Sequence, residues 1–396
     1  MSHPPNRIFA LALASIALIG PLAVHLYLPM IPAIKAALGI SDALAQLTFS
    51  VALFGMAFST LFYGSLSDRY GRRPVLLSGL CLFLVGSVIS ALADGVSTLA
   101  LGRFVQAVGA GCGMTLVRTI ARDAYGPEGL VKALAYLTMF YTLGPMVSPI
   151  VGGLLVDTLG WRSVFGFALL AGAAITLGVY TAIPETRPPA ERGGPGSSVL
   201  LDYLRLFGHL RFTAYVLQTG LSTATFITVA SAAPTLMKEQ LHRSATEFGL
   251  YFLLFPIGFF LGNLLTARVG NRGATDTMVL LGSLLSITAV AVQSGLLLAG
   301  YFNPLVIFLP GSFITMAQGI ALPYGQAGAM ATIPQLSGTA AGVGVFVQLF
   351  CGATFAQLYG LLATGTPGPM MATTALSAAL CLIAGSVPFL LRMRGR

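Results

Sequence analysis

Residues 277–300 read TMVLLGSLLSITAVAVQSGLLLAG, and they open a stretch of 115 residues, ending at Leu391, that contains no charged side chain. One helical crossing of a bilayer needs about 20 apolar residues. The stretch therefore has room for four crossings with their turns. Turn-forming residues divide it at the three places that four crossings require, namely Gly300–Pro304, Ile333–Gly338 and Gly365–Pro369.

The rest of the chain repeats this apolar pattern. Of its 396 residues, 56% are apolar and 8% are charged, whereas a soluble domain carries about 25% charged residues. This composition excludes a soluble globular enzyme. Eight further apolar runs, one of them containing Arg103, precede the uncharged stretch: Ile8–Ile34, Ala43–Ser67, Pro74–Ala93, Gly95–Val117, Ala133–Val156, Ser163–Pro184, Phe212–Met237 and Phe248–Ala267. The sequence therefore predicts an all-α integral membrane protein with twelve transmembrane helices.

The basic residues indicate how the chain is oriented. If the N-terminus lies in the cytoplasm, sixteen of the 21 Lys and Arg residues fall in cytoplasmic segments and four fall outside. This asymmetry follows the positive-inside rule, so we expect both termini in the cytoplasm. Topology then explains the net charge of +9, and no nucleic-acid partner is expected. The first run follows Arg7 and is too long for a signal peptide, so we expect an uncleaved span.

A charged segment rich in proline and glycine, residues 186–210, separates two halves, residues 1–185 and 211–396. Each half holds six of the predicted helices. A weak repeat supports the division, because Arg69-Tyr-Gly-Arg-Arg73 and Arg268-Val-Gly-Asn-Arg272 lie at an offset of 199 residues. Two six-helix bundles related by a pseudo-repeat are the architecture of a secondary transporter.

The segment between the second and third runs, Gly64-Ser-Leu-Ser-Asp68-Arg69-Tyr-Gly71-Arg72-Arg73, combines an acid, two glycines and a basic cluster. Glycine allows helices to approach, and the cations can pair with carboxylates or with helix C-termini. The functional interpretation is that this cluster pairs with a neighbouring helix bundle. The alternative is that its arginines only fix topology. In the second-half copy, Ala267 stands at the position of Asp68.

The fifth run contains a second motif, made of Pro145, Pro149, Gly152 and Gly153. Proline removes backbone hydrogen bonds from a helix, and glycine lets a partner helix come close. The motif favours a gate or hinge. The alternative is ordinary packing of small residues, because Gly and Pro are frequent in transmembrane helices.

Two ionisable residues, His25 and Arg103, lie inside predicted spans. A charge within the bilayer is expensive, so Arg103 should face a cavity or a partner. His25 lies at a comparable depth, and we expect the two side chains to be neighbours beside one cavity. A hydrogen bond from His25 to a backbone carbonyl and a purely structural Arg103 are the alternatives. None of the twelve Asp and Glu residues lies in the middle of a span, so neutral or anionic substrates are expected rather than organic cations.

Further polar residues within the spans are candidates for lining a largely apolar substrate cavity. Each of them could instead make a hydrogen bond between helices. They are Tyr27, Gln106, Tyr136, Tyr141, Gln218, Thr225, Asn263, Gln318, Tyr324 and Gln348.

Several segments of the chain together resemble those of a known family. Besides the 64–73 segment, they are Tyr27-Leu-Pro29-Met-Ile-Pro32, Leu101-Gly-Arg103-Phe-Val-Gln106, Arg122-Asp123, Ser148-Pro149-Ile-Val-Gly152-Gly153 and Gly160-Trp161-Arg162. The chain resembles the major facilitator superfamily and, within it, the drug/proton antiporters of the bicyclomycin/chloramphenicol resistance (Bcr/CflA) type.

The resemblance implies the major facilitator fold, a role of the 64–73 segment in the conformational switch, and proton-coupled efflux of antibiotics and similar compounds from a bacterial inner membrane. The subfamily usually carries Asp at the position of His25. Proton coupling would then run through His25, because an imidazole titrates near neutral pH, or through an acid near a helix end such as Asp123. A uniporter or an importer of a metabolite or chelate, without proton coupling, is the alternative.

Neither a cofactor nor a metal is expected. The four cysteines lie singly in apolar runs and the four histidines are scattered. The phosphate-binding pattern GxxxxGK[ST] does not occur, so ATP is not the expected energy source. An intramembrane enzyme would need a nucleophile with a base, or a metal cluster. The sequence thus predicts a transporter, working as a monomer, whose partners are a small-molecule substrate, protons and the lipid bilayer.

Overall fold

The computed structural model describes residues 7–187, 199–270 and 274–395. The chain divides into two compact units, Met1–Pro195 (unit 1) and Gly196–Arg396 (unit 2). Residues 188–198 of the predicted linker lie outside the described residues, and so does Arg272 of the repeated loop motif. The later part of that linker forms a short helix, Val199–Phe207. The linker bounds of 186 and 210 stay a prediction.

Twelve helices within the described residues are long and apolar enough to cross a membrane, as the sequence predicts. Unit 1 contains spans 1 to 6 and unit 2 contains spans 7 to 12. In chain order, the spans are Arg7–Leu38, Asp42–Tyr70, Arg72–Ala91, Val96–Gly126, Tyr136–Leu159, Trp161–Ala182, Leu210–Glu239, Ala245–Val269, Thr275–Leu298, Pro304–Thr332, Pro334–Leu362 and Gly368–Met393.

Span 4 extends nine residues beyond its predicted end at Val117. It ends at Gly126, where φ is 62° and ψ is −178°, and helix resumes beyond it and continues through span 5. Glycine adopts this positive φ readily, and the proline that follows disfavours helical geometry in the residue before it. Arg118, which lies outside the predicted fourth run, is therefore within the helix, and Asp123 lies near its end. The first charge marked the end of the apolar run, whereas the helix continues past it.

Span 1 is built from short pieces. Proline has no N–H to donate to the helical ladder, and Pro21, Pro29 and Pro32 each remove one such bond from this span. The backbone N–H of Met30 bonds instead to the carbonyl of Tyr27 at 2.9 Å, in a tighter turn. The helical pieces are Arg7–Ile16, Ile19–Val24, Leu28–Met30 and Ile31–Leu38.

Span 7 lies in the middle of unit 2. In its most apolar window 83% of the residues are buried, against 28% in span 5, which lies at the surface of unit 1. Its polar side chains bond to neighbouring helices. The hydroxyls of Thr225 and Ser377 lie 2.9 Å apart, and Gln318 Nε2 donates to Thr223 Oγ1 at 2.9 Å. Hydrogen bonds therefore join span 7 to spans 12 and 10.

Candidate functional site

The segment between spans 2 and 3 forms a charged network at one end of unit 1. The chain turns at Gly71, where φ is 101°, and Arg72 then begins span 3 with only 2% of its surface exposed. Its guanidinium pairs with Asp68 (Nη1 to Oδ1, 2.7 Å) and with Asp123 (Nε to Oδ2, 3.1 Å). Arg72 Nη1 also donates to Ser67 Oγ at 2.5 Å. One buried cation thus joins spans 2, 3 and 4.

Two residues after span 6 complete this network. Glu185 Oε1 accepts a hydrogen bond from the backbone N–H of Arg72 at 2.9 Å. Arg187 Nη1 lies 2.5 Å from Asp68 Oδ1, so this carboxylate serves two arginines. Sequence reasoning named Asp68 and Arg72 but missed Glu185 and Arg187. It had no signal for them, because they are more than a hundred residues away in the chain and were assigned to the linker and its edge.

The remaining residues of the motif lie around the network. Arg73 Nη2 donates to the backbone carbonyl of Tyr180 at 2.8 Å, and its guanidinium lies over the Tyr180 ring. Arg69 is exposed and lies over the ring of Tyr70. At Gly64 an added Cβ would meet no described atom within 4 Å. No other helix therefore packs closely against Gly64 among the described residues.

Unit 2 has its own buried ion pair, in a different place. Ala267 replaces the acid of the motif, and Asp276 at the start of span 9 supplies one instead. Arg211 Nη2 lies 2.7 and 2.9 Å from the two Asp276 carboxylate oxygens, and the Tyr215 hydroxyl donates to the same carboxylate. The Asp276 side chain is 3% exposed. Sequence reasoning missed this pair, which joins spans 7 and 9.

The motif of span 5 packs against the broken span 1. A Cβ added at Gly144 would lie 2.3 Å from Pro21 Cβ, and one added at Gly152 would lie 2.5 Å from the carbonyl oxygen of Leu26. Pro149 and Gly153 are buried beside them and Pro145 is half-buried. The close approach occurs at the pieces of span 1 where the helix is interrupted. The small residues therefore allow a proline-containing helix to lie close against a discontinuous one.

Arg103 is fully enclosed inside unit 1, with 1% of its surface exposed. Its Nη2 donates to the carbonyl of Ala23 at 2.8 Å and its Nη1 donates to Gln106 Oε1 at 2.5 Å. The guanidinium lies 4.0 Å from the ring centroid of Tyr27. Gln106 Nε2 donates in turn to Ser87 Oγ at 2.8 Å. This cation is thus stabilised by a carbonyl near the end of a helical piece, an amide and an aromatic face.

A small cavity of about 10 Å³ adjoins this network, room for roughly one water molecule. Arg103, Gln106 and Tyr27 line it together with apolar residues of spans 1 and 6. Arg103 contacts Ala23 and Tyr27, the residues two before and two after His25, and His25 itself is half-buried. Arg103 thus lies at the same depth as His25, as predicted. The Arg103 guanidinium, however, points into the interior of unit 1.

The other cavity candidates are distributed over both units. Gln218 Nε2 donates to Ser283 Oγ at 3.2 Å, and Asn263 Nδ2 donates to the carbonyl of Phe259 one turn earlier at 2.9 Å. With Thr225 and Gln318, bonded as described above, these residues make hydrogen bonds between or within helices of unit 2. The Tyr324 hydroxyl donates to the Gly270 carbonyl at 2.6 Å. Gln348 is half-buried.

Two tyrosines of span 5 are exposed, Tyr136 by 55% and Tyr141 by 40%. Arg118 of span 4 is exposed as well, and it interacts electrostatically with Tyr141. Sequence reasoning treated Arg118 only as a determinant of topology, because it ended span 4 one residue earlier. Its position within a helix is the signal that it missed.

Nothing in the described ranges is arranged to hold a metal ion, since they contain no cluster of three or more His, Cys, Asp or Glu side chains. Several polar side chains of the interior, among them Arg72, Gln106 and Thr225, are bonded to other side chains.

Comparison with known proteins gives the family of this fold. A family model described as "Major Facilitator Superfamily" matches residues 13–356. The chain belongs to the major facilitator superfamily. The D-xylose-proton symporter has the same fold, with a TM-score of 0.74, 15% identity and coverage of 97% of this chain and 96% of that one. The POT family transporter PepTSo superposes with a TM-score of 0.77, 14% identity and coverage of 99% of each chain.

Curated relatives of this major facilitator protein are similar along nearly its whole length. "Multidrug resistance protein D" of Escherichia coli K12 is 28% identical over 390 residues, covering 96% of each chain. "Bicyclomycin resistance protein homolog" of Haemophilus influenzae is 26% identical over 376 residues, covering 92% of each. The resemblance to the bicyclomycin resistance type is confirmed, and so is the prediction of a multi-pass membrane transporter of small molecules rather than an enzyme.

Proposed function

We propose that this protein exports small neutral or anionic, largely apolar compounds by alternating access, driven by protons. The observation that carries the proposal is the similarity, over more than nine-tenths of the chain, to proteins named for multidrug and bicyclomycin resistance. The site is the bacterial inner membrane, both termini are cytoplasmic, and the working unit is a monomer.

The chemistry of the spans supports the substrate class. Asp68 and Asp123 of the network in unit 1 are engaged by arginines, and Asp276 of unit 2 is engaged by Arg211. A cationic drug would find no uncompensated carboxylate among these groups. Neutral and anionic compounds need none, because apolar contacts with a few hydrogen bonds suffice to hold them.

The charged network of unit 1 supports a gating role for the 64–73 segment. It closes the end of the unit that the arginine distribution places in the cytoplasm. Because Arg72 is bound to acids on spans 2 and 4, any movement of these helices relative to span 3 has to break a charge-assisted hydrogen bond. Such a cluster favours a switch of spans 2, 3 and 4 between discrete positions over a gradual movement.

His25 is the proposed proton carrier. It is half-buried in the discontinuous span 1, and it stands at a position where the resemblance to the bicyclomycin resistance type implies a carboxylate. Imidazole takes up and releases a proton near neutral pH. Protonation of His25 would place a second cation between Ala23 and Tyr27, the two residues that Arg103 contacts. Repulsion between the two cations would favour a change in how span 1 packs.

The test is accumulation of chloramphenicol in inverted membrane vesicles with and without an imposed pH gradient. We expect gradient-dependent uptake in the wild type, loss of that dependence in His25→Ala, and its retention in the matched control His209→Ala, which changes a histidine on an exposed turn. Uptake that ignores the gradient in the wild type would refute proton-driven export and favour a uniporter or importer.

A further inference from the structure

Arg118 is a cation within a membrane span that lies on an exposed face of unit 1. It precedes Asp123 by five residues, so it lies about 7.5 Å farther along the helix, towards the middle of the span. Asp123 is bonded to Arg72 at the turn between spans 2 and 3, which marks the end of the unit. Arg118 therefore lies deeper than the charges that close that end.

The acid closest in sequence does not neutralise Arg118. Asp123 pairs with Arg72 at 3.1 Å and approaches Arg122 at 3.8 Å. In the described parts of the chain no carboxylate is paired with Arg118. A cation at this depth requires water or an anion, because lipid chains solvate it poorly.

The hydrogen-bond donors on this face are few. The threonine hydroxyls that surround Arg118 and Tyr141 each donate to a carbonyl one turn earlier in their own helix: Thr115 to Gly111, Thr119 to Thr115, Thr138 to Leu134 and Thr142 to Thr138. The Arg118 guanidinium and the hydroxyl of Tyr141, a residue that is 40% exposed, are left as donors. Hydrogen-bond donors that have no carboxylate partner are the groups that bind an anion.

We propose that Arg118 and Tyr141 bind the anionic group of the transported compound. This inference rests on the proposed function and identifies amphiphilic anions as the preferred substrates within its class of neutral and anionic compounds. The guanidinium offers two parallel N–H donors to a carboxylate or phosphate, and the phenol ring offers an apolar face with one hydroxyl. The apolar part of the compound would lie against exposed Leu143 and Met139 of span 5.

The experiment compares two compounds that differ by one carboxylate, chloramphenicol and chloramphenicol hemisuccinate. Transport is measured in phosphatidylcholine proteoliposomes with a pH gradient. For the wild type we expect a lower KM for the hemisuccinate than for chloramphenicol. Arg118→Gln should raise the KM of the hemisuccinate about tenfold, as expected for loss of a charge-assisted hydrogen bond, and leave the KM of chloramphenicol within about twofold. Arg118→Lys should restore part of the preference, since it keeps the charge but loses the planar fork.

Arg122→Gln is the matched control, because it removes the same charge one turn later on the same helix from a side chain that is 66% exposed. It should leave both KM values unchanged. Equal effects of Arg118→Gln on both compounds, or equal effects of the two variants, would overturn the anion site. An Arg118→Gln effect that occurs only in vesicles containing phosphatidylglycerol would overturn it too, by assigning Arg118 to an anionic lipid headgroup.

Equilibrium dialysis of the hemisuccinate with the purified protein separates this inference from the proposed function. If the wild type transports neither compound but binds the hemisuccinate, and Arg118→Gln abolishes binding, the anion site stands and export of this drug class fails. If the wild type transports chloramphenicol and does not bind the hemisuccinate, export stands and the anion site is refuted.

Discussion

At the scale of single residues, three buried charged side chains of this protein have specific partners. Arg72, Arg103 and Asp276 are each at most 3% exposed, and each has two or more polar or aromatic contacts. Burial makes the removal of one partner more serious than the loss of an exposed ion pair, because the remaining group is left without hydrogen bonds.

We expect Asp276→Asn to destabilise unit 2. The substitution weakens the acceptor for Arg211 and for the buried Tyr215 hydroxyl, at a cost of about 1–3 kcal/mol. The measurement is thermal unfolding of the purified protein in detergent, where the midpoint should fall. Asp94→Asn is the control, because the Asp94 side chain is fully exposed and lies 3.7 Å from Arg162. An equal shift in both variants would contradict the assigned role of Asp276.

We expect Arg72→Gln to reduce the initial transport rate about tenfold, equivalent to about 1.4 kcal/mol in the barrier, while substrate binding by equilibrium dialysis is retained. The amide cannot bridge Asp68 and Asp123 as the guanidinium does. Arg69→Gln, which changes an exposed arginine of the same motif, should keep the wild-type rate. A reduced transport rate in Arg69→Gln, with a normal rate in Arg72→Gln, would assign the role to Arg69 instead of Arg72.

The presence of Arg103 within a span could be read from the sequence, but its surroundings could not. Spacing along a helix gives the depth of a side chain. It does not say whether the side chain faces the interior of a bundle or an open cavity, which depends on how the neighbouring helices pack. The same reason explains why Glu185 and Arg187, which meet Arg72 and Asp68 only in the fold, were not predicted.

At the scale of elements, the number of helices follows from hydropathy alone. An apolar run of about 20 residues can satisfy its backbone hydrogen bonds within a bilayer by forming a transmembrane helix. Where a helix ends is a separate question. Span 4 continues past its first charges to Gly126, whose φ of 62° ends it. The breaks of span 1 come from prolines that are visible in the sequence, yet their purpose becomes clear only through the glycines of span 5.

We expect Gly152→Ala to damage the contact between spans 5 and 1, since the added Cβ would lie 2.5 Å from the carbonyl oxygen of Leu26. Overpacking of this kind costs about 1–3 kcal/mol. Gly178→Ala in span 6 is the matched control, because an added Cβ there meets no described atom within 4 Å. The midpoint of thermal unfolding and the transport rate should both fall for Gly152→Ala and stay unchanged for Gly178→Ala. Normal values for both variants would show that the contact is not essential.

At the scale of the whole molecule, orientation is the property that the arginine distribution predicts. Unit 1 and unit 2 each contain six candidate spans, so we expect both termini on one side of the membrane. We expect a membrane-impermeant maleimide to label Asp94→Cys from the periplasm and Arg394→Cys only after the cells are opened. The wild type, with its four native cysteines, gives the background. Labelling of both positions from the same side would refute the predicted topology.

Span 7 has a consequence for how the protein is made. It has the lowest hydropathy of the twelve described spans and is buried on nearly all sides, and it carries eight Ser and Thr residues between Leu210 and Glu239. Such a segment has a weak preference of its own for the bilayer. The helices that bond to its polar side chains, spans 9, 10 and 12, leave the ribosome later. We therefore expect that span 7 inserts poorly and is open to proteolysis in chains that stop before span 9.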